Sequence, residues 1–202
     1  MNLKKEQKKK SGNKGFIEFP RPLCYLVEGK IPLPYSQKSN LPKEPETFTK
    51  SIREILELPK DDLLTELSVH LNEMSCSGEE MVCLNKWEKI FFDVDTMCME
   101  MGSGGTDCYL HMCGQRFEQT KKALKAIGAE KGYRFLEEIE KKFPKGKVPK
   151  SYERLEKILD KMIYNDEDFE EEESKYYYDA DVEVELVECM YQFVVKNKKK
   201  FR

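Results

Sequence analysis

Two runs decide how this chain folds: EMGSGGTDCYLHMCG at residues 100–114 and ALKAIGA at residues 123–129. The first sets Gly102, Gly104 and Gly105 around Ser103. A helix accommodates such a cluster poorly, since each glycine costs ~1 kcal/mol relative to alanine. The cluster predicts a tight turn between two helices, with glycine at positive φ. Before it, Leu84, Trp87, Phe91, Val94, Cys98 and Met101 recur every three or four residues, and Met81, Ile90 and Met97 widen the stripe. So broad an apolar face belongs at the centre of a core. Ser77 and Glu80 have the spacing of a capping box, which is expected to start that helix. After the glycines, Asp107 is the expected cap of a helix carrying Tyr109, Leu110, Met112 and Cys113. Phe117, Ala123, Leu124, Ala126 and Ile127 continue the apolar face to Gly128, which fits a helix C-terminal cap position.

Outward from this centre every strong period is helical. Tyr133, Leu136, Ile139 and Phe143 form one face that stops at Pro144. Lys145 to Lys150 is a loop, and Ser151 is the expected cap for Leu155, Ile158, Leu159, Met162 and Ile163. Val182, Leu186, Cys189, Met190, Phe193 and Val194 mark a last helix. On the N-terminal side, Ile52, Ile55 and Leu56 share a face that ends at Pro59. Asp61 is the expected cap for Leu63, Leu64, Leu67, Leu71 and Met74. The fold class is therefore all-α, one multi-helix domain over residues 47–197. Residues 1–14 hold six lysines and one glutamate and predict a disordered basic tail. Residues 15–46 carry prolines at 20, 22, 32, 34, 42 and 45 and predict an extended arm, packed on the domain by apolar residues such as Phe16, Phe19 and Leu26. Residues 198–202 are a basic tail.

Bulk composition narrows the class. Apolar residues at 39% are enough to bury a core, and charged residues at 36% predict a soluble surface. No run approaches the ~20 apolar residues of a membrane span. No apolar run follows Lys4 to Lys14, so no secretion leader is expected. The seven cysteines are odd in number and sit mostly in apolar stretches, as reduced thiols of a cytoplasmic protein do. A net charge of −3 predicts no general affinity for nucleic acid.

The charge is unevenly placed. Between Asp166 and Glu188 lie twelve carboxylates and one lysine, a local charge of −11. Between Arg116 and Lys161, fourteen cations and eight anions give +6. The acidic run admits three readings. It is a solvated helix surface, a calcium site, or a negative face offered to a basic partner. The calcium loop's glycine and terminal glutamate are missing. A dense row of carboxylates can occupy arginines and lysines that otherwise hold DNA phosphates. The residues offered would be Asp166, Glu167, Asp168, Glu170, Glu171, Glu172, Glu173, Asp179 and Asp181, with Tyr176, Tyr177 and Tyr178 as apolar anchors or as core contacts.

Other chemistry concentrates at residues 100–113. The glycine cluster follows a helix rather than a strand, and it lacks the lysine and hydroxyl of a phosphate loop. Cys108, His111 and Cys113 are ligand types for zinc, yet no Cys-x-x-Cys pair is present and residue 113 leaves the face shared by 108 and 111. A cysteine nucleophile with His70 or His111 as its base lacks a third group to orient the histidine. A small metal-dependent or hydrolytic enzyme at this turn is thus the alternative to an interaction protein. No cofactor is expected.

The same residues resemble the bacterial DNA mimic protein family. Glu100, Gly104, Gly105, Tyr109 and Gly114 match its glycine motif, and residues 123–129 match its Ala-Leu-x-x-Ile-Gly-Ala motif. Phe143-Pro144, the acidic stretch, Tyr176-Tyr177 and Tyr191 look similar to its end. The likeness spans about residues 80–197. Gly102, Ser103, Thr106 and Met112 depart from it, standing where the family has two asparagines, a phenylalanine and an asparagine. The resemblance implies a helical, non-catalytic bacterial protein. It further implies carboxylates displayed like DNA phosphates to a basic or DNA-binding protein, and a homodimer. Charge and hydropathy, as above, predict neither direct nucleic-acid binding nor a membrane partner.

Overall fold

The computed structural model describes residues 50–75, 81–164 and 168–202, and every regular element among them is helical. In chain order these are α1 (Ile52–Ile55), α2 (Lys60–Met74), α3 (Lys86–Cys113), α4 (Phe117–Ile127), α5 (Glu130–Lys142), α6 (Tyr152–Tyr164), α7 (Glu170–Glu173) and α8 (Val182–Asn197). A π-helical turn, Ser174–Tyr178, extends α7. The tail at 1–14, the arm at 15–46 and the Ser77–Glu80 box lie outside the described residues. No described helix is long and apolar enough to cross a membrane.

The core is built around α3, as its apolar stripe requires. Phe91, Val94, Met97 and Met101 are buried, and α2, α4 and α8 pack against the helix. α2 contributes Leu63, Leu67 and Leu71, and α8 contributes Val182, Leu186, Met190 and Val194. Both sets follow the i, i+4 spacing that places side chains on one face.

Helix starts differ from expectation in two places. α3 begins at Lys86, not after Ser77. Asn85 is its cap: Asn85 Oδ1 accepts from the N–H groups of Trp87 (2.9 Å) and Glu88 (3.3 Å). The Glu88 carboxylate accepts in return from the Asn85 N–H at 2.7 Å. This is a complete capping box with asparagine in the role expected of serine. α2 is not capped by Asp61. Pro59 occupies the cap position, and Asp61 and Asp62 sit in the first turn, where negative charge suits the helix dipole. α1 is capped by Ser51 and Glu54.

The Ile127-Gly128-Ala129 motif is a helix stop. Gly128 is left-handed at φ +83°. The N–H groups of Gly128 and Ala129 donate back to the carbonyls of Lys125 (3.3 Å) and Leu124 (3.0 Å). Nearby, a Cβ on Gly132 would stand 3.0 Å from Leu186 Cδ2 and 3.2 Å from Leu124 Cδ2, so α5 approaches α4 and α8 over a glycine. The basic end at 198–202 folds back on the start of α3. Phe201 is buried against Phe91 and Phe193, and the Arg202 N–H donates to Glu88 Oε1 at 2.9 Å.

Candidate functional site: an acidic segment anchored on a glycine turn

The glycine cluster separates two helical segments of α3, as its composition predicts. Gly102 and Ser103 stay helical within α3, and the break is confined to Gly104 (φ −165°, ψ 23°) and Gly105 (φ +70°, ψ −158°). The helix resumes at Thr106 and needs an acceptor for its first N–H groups. That acceptor is not Asp107. The Thr106 N–H donates to Glu173 Oε1 at 2.5 Å, from 67 residues further along the chain. A Cβ on Gly105 would lie 2.7 Å from the same oxygen. Glycine is required here twice, for its positive φ and for the room it leaves the carboxylate. The glycine turn and the acidic run, read separately in the sequence, are one site. Asp107 sits beside them, and its carboxyl titrates above the usual range because it is part-buried and because Glu173 is close.

The acidic run is pinned down by its aromatic residues. Phe169 stacks on Phe143 with centroids 6.2 Å apart, and Tyr177 packs on Phe135 at 5.1 Å. Both anchors are buried. The carboxylates then divide by orientation. Glu173 turns inward as described. Glu172 accepts from Lys142 Nζ at 2.8 Å, and Lys142 also donates to the Asp168 carbonyl at 2.7 Å. Glu185 accepts from the N–H groups of Lys131 (3.1 Å) and Gly132 (3.0 Å) and so caps α5. Glu188 pairs with Lys60 at 2.6 Å. Asp181 adopts φ +52° where the segment turns into α8. Asp168, Glu170, Glu171, Asp179, Asp181 and Glu183 are exposed, and none of them has an ion-pair partner among the described residues. Asp166 and Glu167 lie outside the described residues.

The remaining motif residues hold the bend together. Glu100 Oε2 accepts from the Cys108 thiol at 3.0 Å across the break. Tyr109 is fully buried, and burial holds its hydroxyl protonated far above the phenol range. A Cβ on Gly114 would lie 2.5 Å from Leu155 Cδ2, so α6 rests directly on this glycine. His111 Nδ1 lies 2.8 Å from Glu156 Oε1, a second tie between α3 and α6. Burial pushes the Cys113 thiol up to about 12, and the Cys98 thiol is raised further by the same cause. Neither supplies a thiolate at neutral pH, the form that attacks or ligates. Among the described residues, no three His, Cys, Asp or Glu side chains form a group able to hold a metal.

Sequence reasoning missed four participants. The Asn85–Glu88 box had a local signal, the spacing of three. Lys142, the Glu173–Thr106 contact and the Glu185 cap had none, because each joins elements far apart in the chain.

A family model described as DMP19-like protein matches residues 83–197, more than half of the chain. No curated protein and no solved structure matches. The matched span holds the glycine bend, the Ile127-Gly128-Ala129 stop and the acidic segment that seals the bend. With its fold all-α and its central turn built as described, this chain belongs to the DMP19-like protein family.

Proposed function

We propose that this protein is a non-catalytic interaction module that presents carboxylates to a basic, DNA-binding protein, as a mimic of DNA. One observation carries the reading. Asp168, Glu170, Glu171, Asp179, Asp181 and Glu183 are exposed and lack ion-pair partners among the described residues, on a segment held to the core by Phe169, Tyr177 and Glu173. Charges held in place lose little freedom on binding, so more of the electrostatic attraction appears as affinity. The family supports the same reading. The inward carboxylates Glu172, Glu173 and Glu185 belong to the support of this face rather than to the face itself.

The test is affinity capture from native lysate with tagged protein. Wild type is compared with a variant carrying Glu170→Gln, Glu171→Gln, Asp179→Asn and Glu183→Gln, which leaves every inward carboxylate intact. Wild type captures a basic DNA-binding protein in a salt-sensitive way, and the variant loses it. Equal capture of that protein by both forms would sink the proposal.

A further inference from the structure

A groove of about 530 Å³ runs between the first half of α3 and α4. Its floor is apolar, from Leu84, Ile90 and the exposed Ala126. Lys86, Lys89 and Lys122 line it together with Arg116. Among the described residues that line it, Asp93 is the only carboxylate, so four cations face one anion. Asp93 is already taken: Arg116 donates to its Oδ1 through Nε (2.8 Å) and Nη2 (2.6 Å). A guanidinium has five N–H groups, so three of them remain without a described partner. The three lysines make no ion pair among the described residues. Some lysines elsewhere do find carboxylates, as in Lys121–Glu140, Lys142–Glu172 and Lys60–Glu188. What sets the groove apart is that its unpaired cations converge on an apolar floor.

We infer that the α3–α4 groove is a docking site for an acidic peptide segment of a partner protein. The carboxylates of the segment meet Lys86, Lys89, Lys122 and the free edge of Arg116, and its aliphatic side chains rest on Ile90 and Ala126. Charge complementarity selects the occupant. The floor argues against single-stranded nucleic acid, which uses aromatic platforms to stack bases; among the described residues no aromatic side chain lines this groove. This site is independent of the acidic segment and takes a ligand of opposite charge, so the protein would join two partners.

The test is fluorescence anisotropy with a short labelled peptide of repeating Glu-Glu-Leu. Three references accompany it: the same peptide with glutamine for glutamate, a labelled single-stranded oligonucleotide, and protein carrying Lys89→Gln with Lys122→Gln. Neither lysine makes an ion pair among the described residues, and Arg116 stays bonded to Asp93 in the variant, so it stays folded. Lys89 is half-buried near Asp93, and the melting temperature is measured beside that of wild type. The acidic peptide binds wild type and weakens by about tenfold or more in the lysine variant and at raised salt. Protein with Glu170→Gln and Glu171→Gln binds it as wild type does, which separates this site from the acidic face. The inference is overturned by any of four results: no binding of the acidic peptide, equal binding of the glutamine peptide, unchanged binding by the lysine variant, or tighter binding of the oligonucleotide.

Discussion

At the scale of single residues, Gly105 and Glu173 hold the acidic segment against the bend in α3. Gly105→Ala places a methyl group on a backbone at φ +70°, 2.7 Å from the Glu173 carboxylate. That backbone, with ψ −158°, lies in a region essentially reserved for glycine and alone costs about 1–3 kcal/mol for a residue with a Cβ. Glu173→Ala instead removes the acceptor of the Thr106 N–H and costs about 1–2 kcal/mol, the usual loss for a helix cap. The two changes share a partner, so they are not additive. Urea unfolding of the double variant shows a smaller loss than the sum of the single variants. Glu170→Ala, an exposed neighbour, changes stability by less than about 0.5 kcal/mol. The glycine turn was legible in the sequence because glycine clusters interrupt helices. Its partner was not, because no local pattern says which of twelve carboxylates turns inward.

Asp95 gives a second prediction at this scale. Its carboxylate lies between α2 and α3, where the Ser68 hydroxyl donates to it at 2.6 Å. Burial raises it to about 7 against an ordinary 3.8. The folded state therefore keeps a proton that the unfolded chain has lost between about pH 4 and 7. Stability from this group falls as pH rises through that window. Asp95→Asn removes the penalty. In thermal unfolding series the variant gains on wild type from pH 4 to pH 8, by more than about 1 kcal/mol at the upper end. A parallel pH dependence of the two proteins would contradict the assignment.

At the scale of elements, the acidic segment is a short α7 and a π turn hung from two aromatic contacts. A helix of four residues has no stability of its own. Its order derives from Phe169 on Phe143, Tyr177 on Phe135, and Glu173 at the bend. Phe169→Ala therefore loosens this element before the rest. Amide hydrogen exchange speeds up at residues 170–178 while α4 and α5 keep their protection. Helix existence was readable throughout from spacings of three and four, since those residues form one buried face. Helix starts were less so. Asp61 looked like a cap, yet Pro59 precedes the helix and the aspartate fits the first turn equally well. The tyrosine run at 176–178 was ambiguous in sequence and splits in the structure, with Tyr177 buried and Tyr178 exposed.

For the molecule as a whole, the helices divide between a family core and an addition to it. α1 and α2 precede the matched span of 83–197; α1 packs on α2, and α2 packs on α3 and α8, with Leu63, Leu67 and Leu71 buried. Ion pairs Lys60–Glu188 and Lys198–Glu57 join the addition to α8 and to the turn after it. The whole acts as a scaffold that fixes six exposed carboxylates. The most direct measurement of the central claim is a competition. The captured DNA-binding protein is loaded on its labelled DNA, and this protein is titrated in. At fixed salt, wild type releases the DNA in proportion to its concentration. The variant with Glu170→Gln, Glu171→Gln, Asp179→Asn and Glu183→Gln leaves the complex intact. Release by both proteins alike, or a ternary complex in which DNA stays bound, would contradict the mimic account.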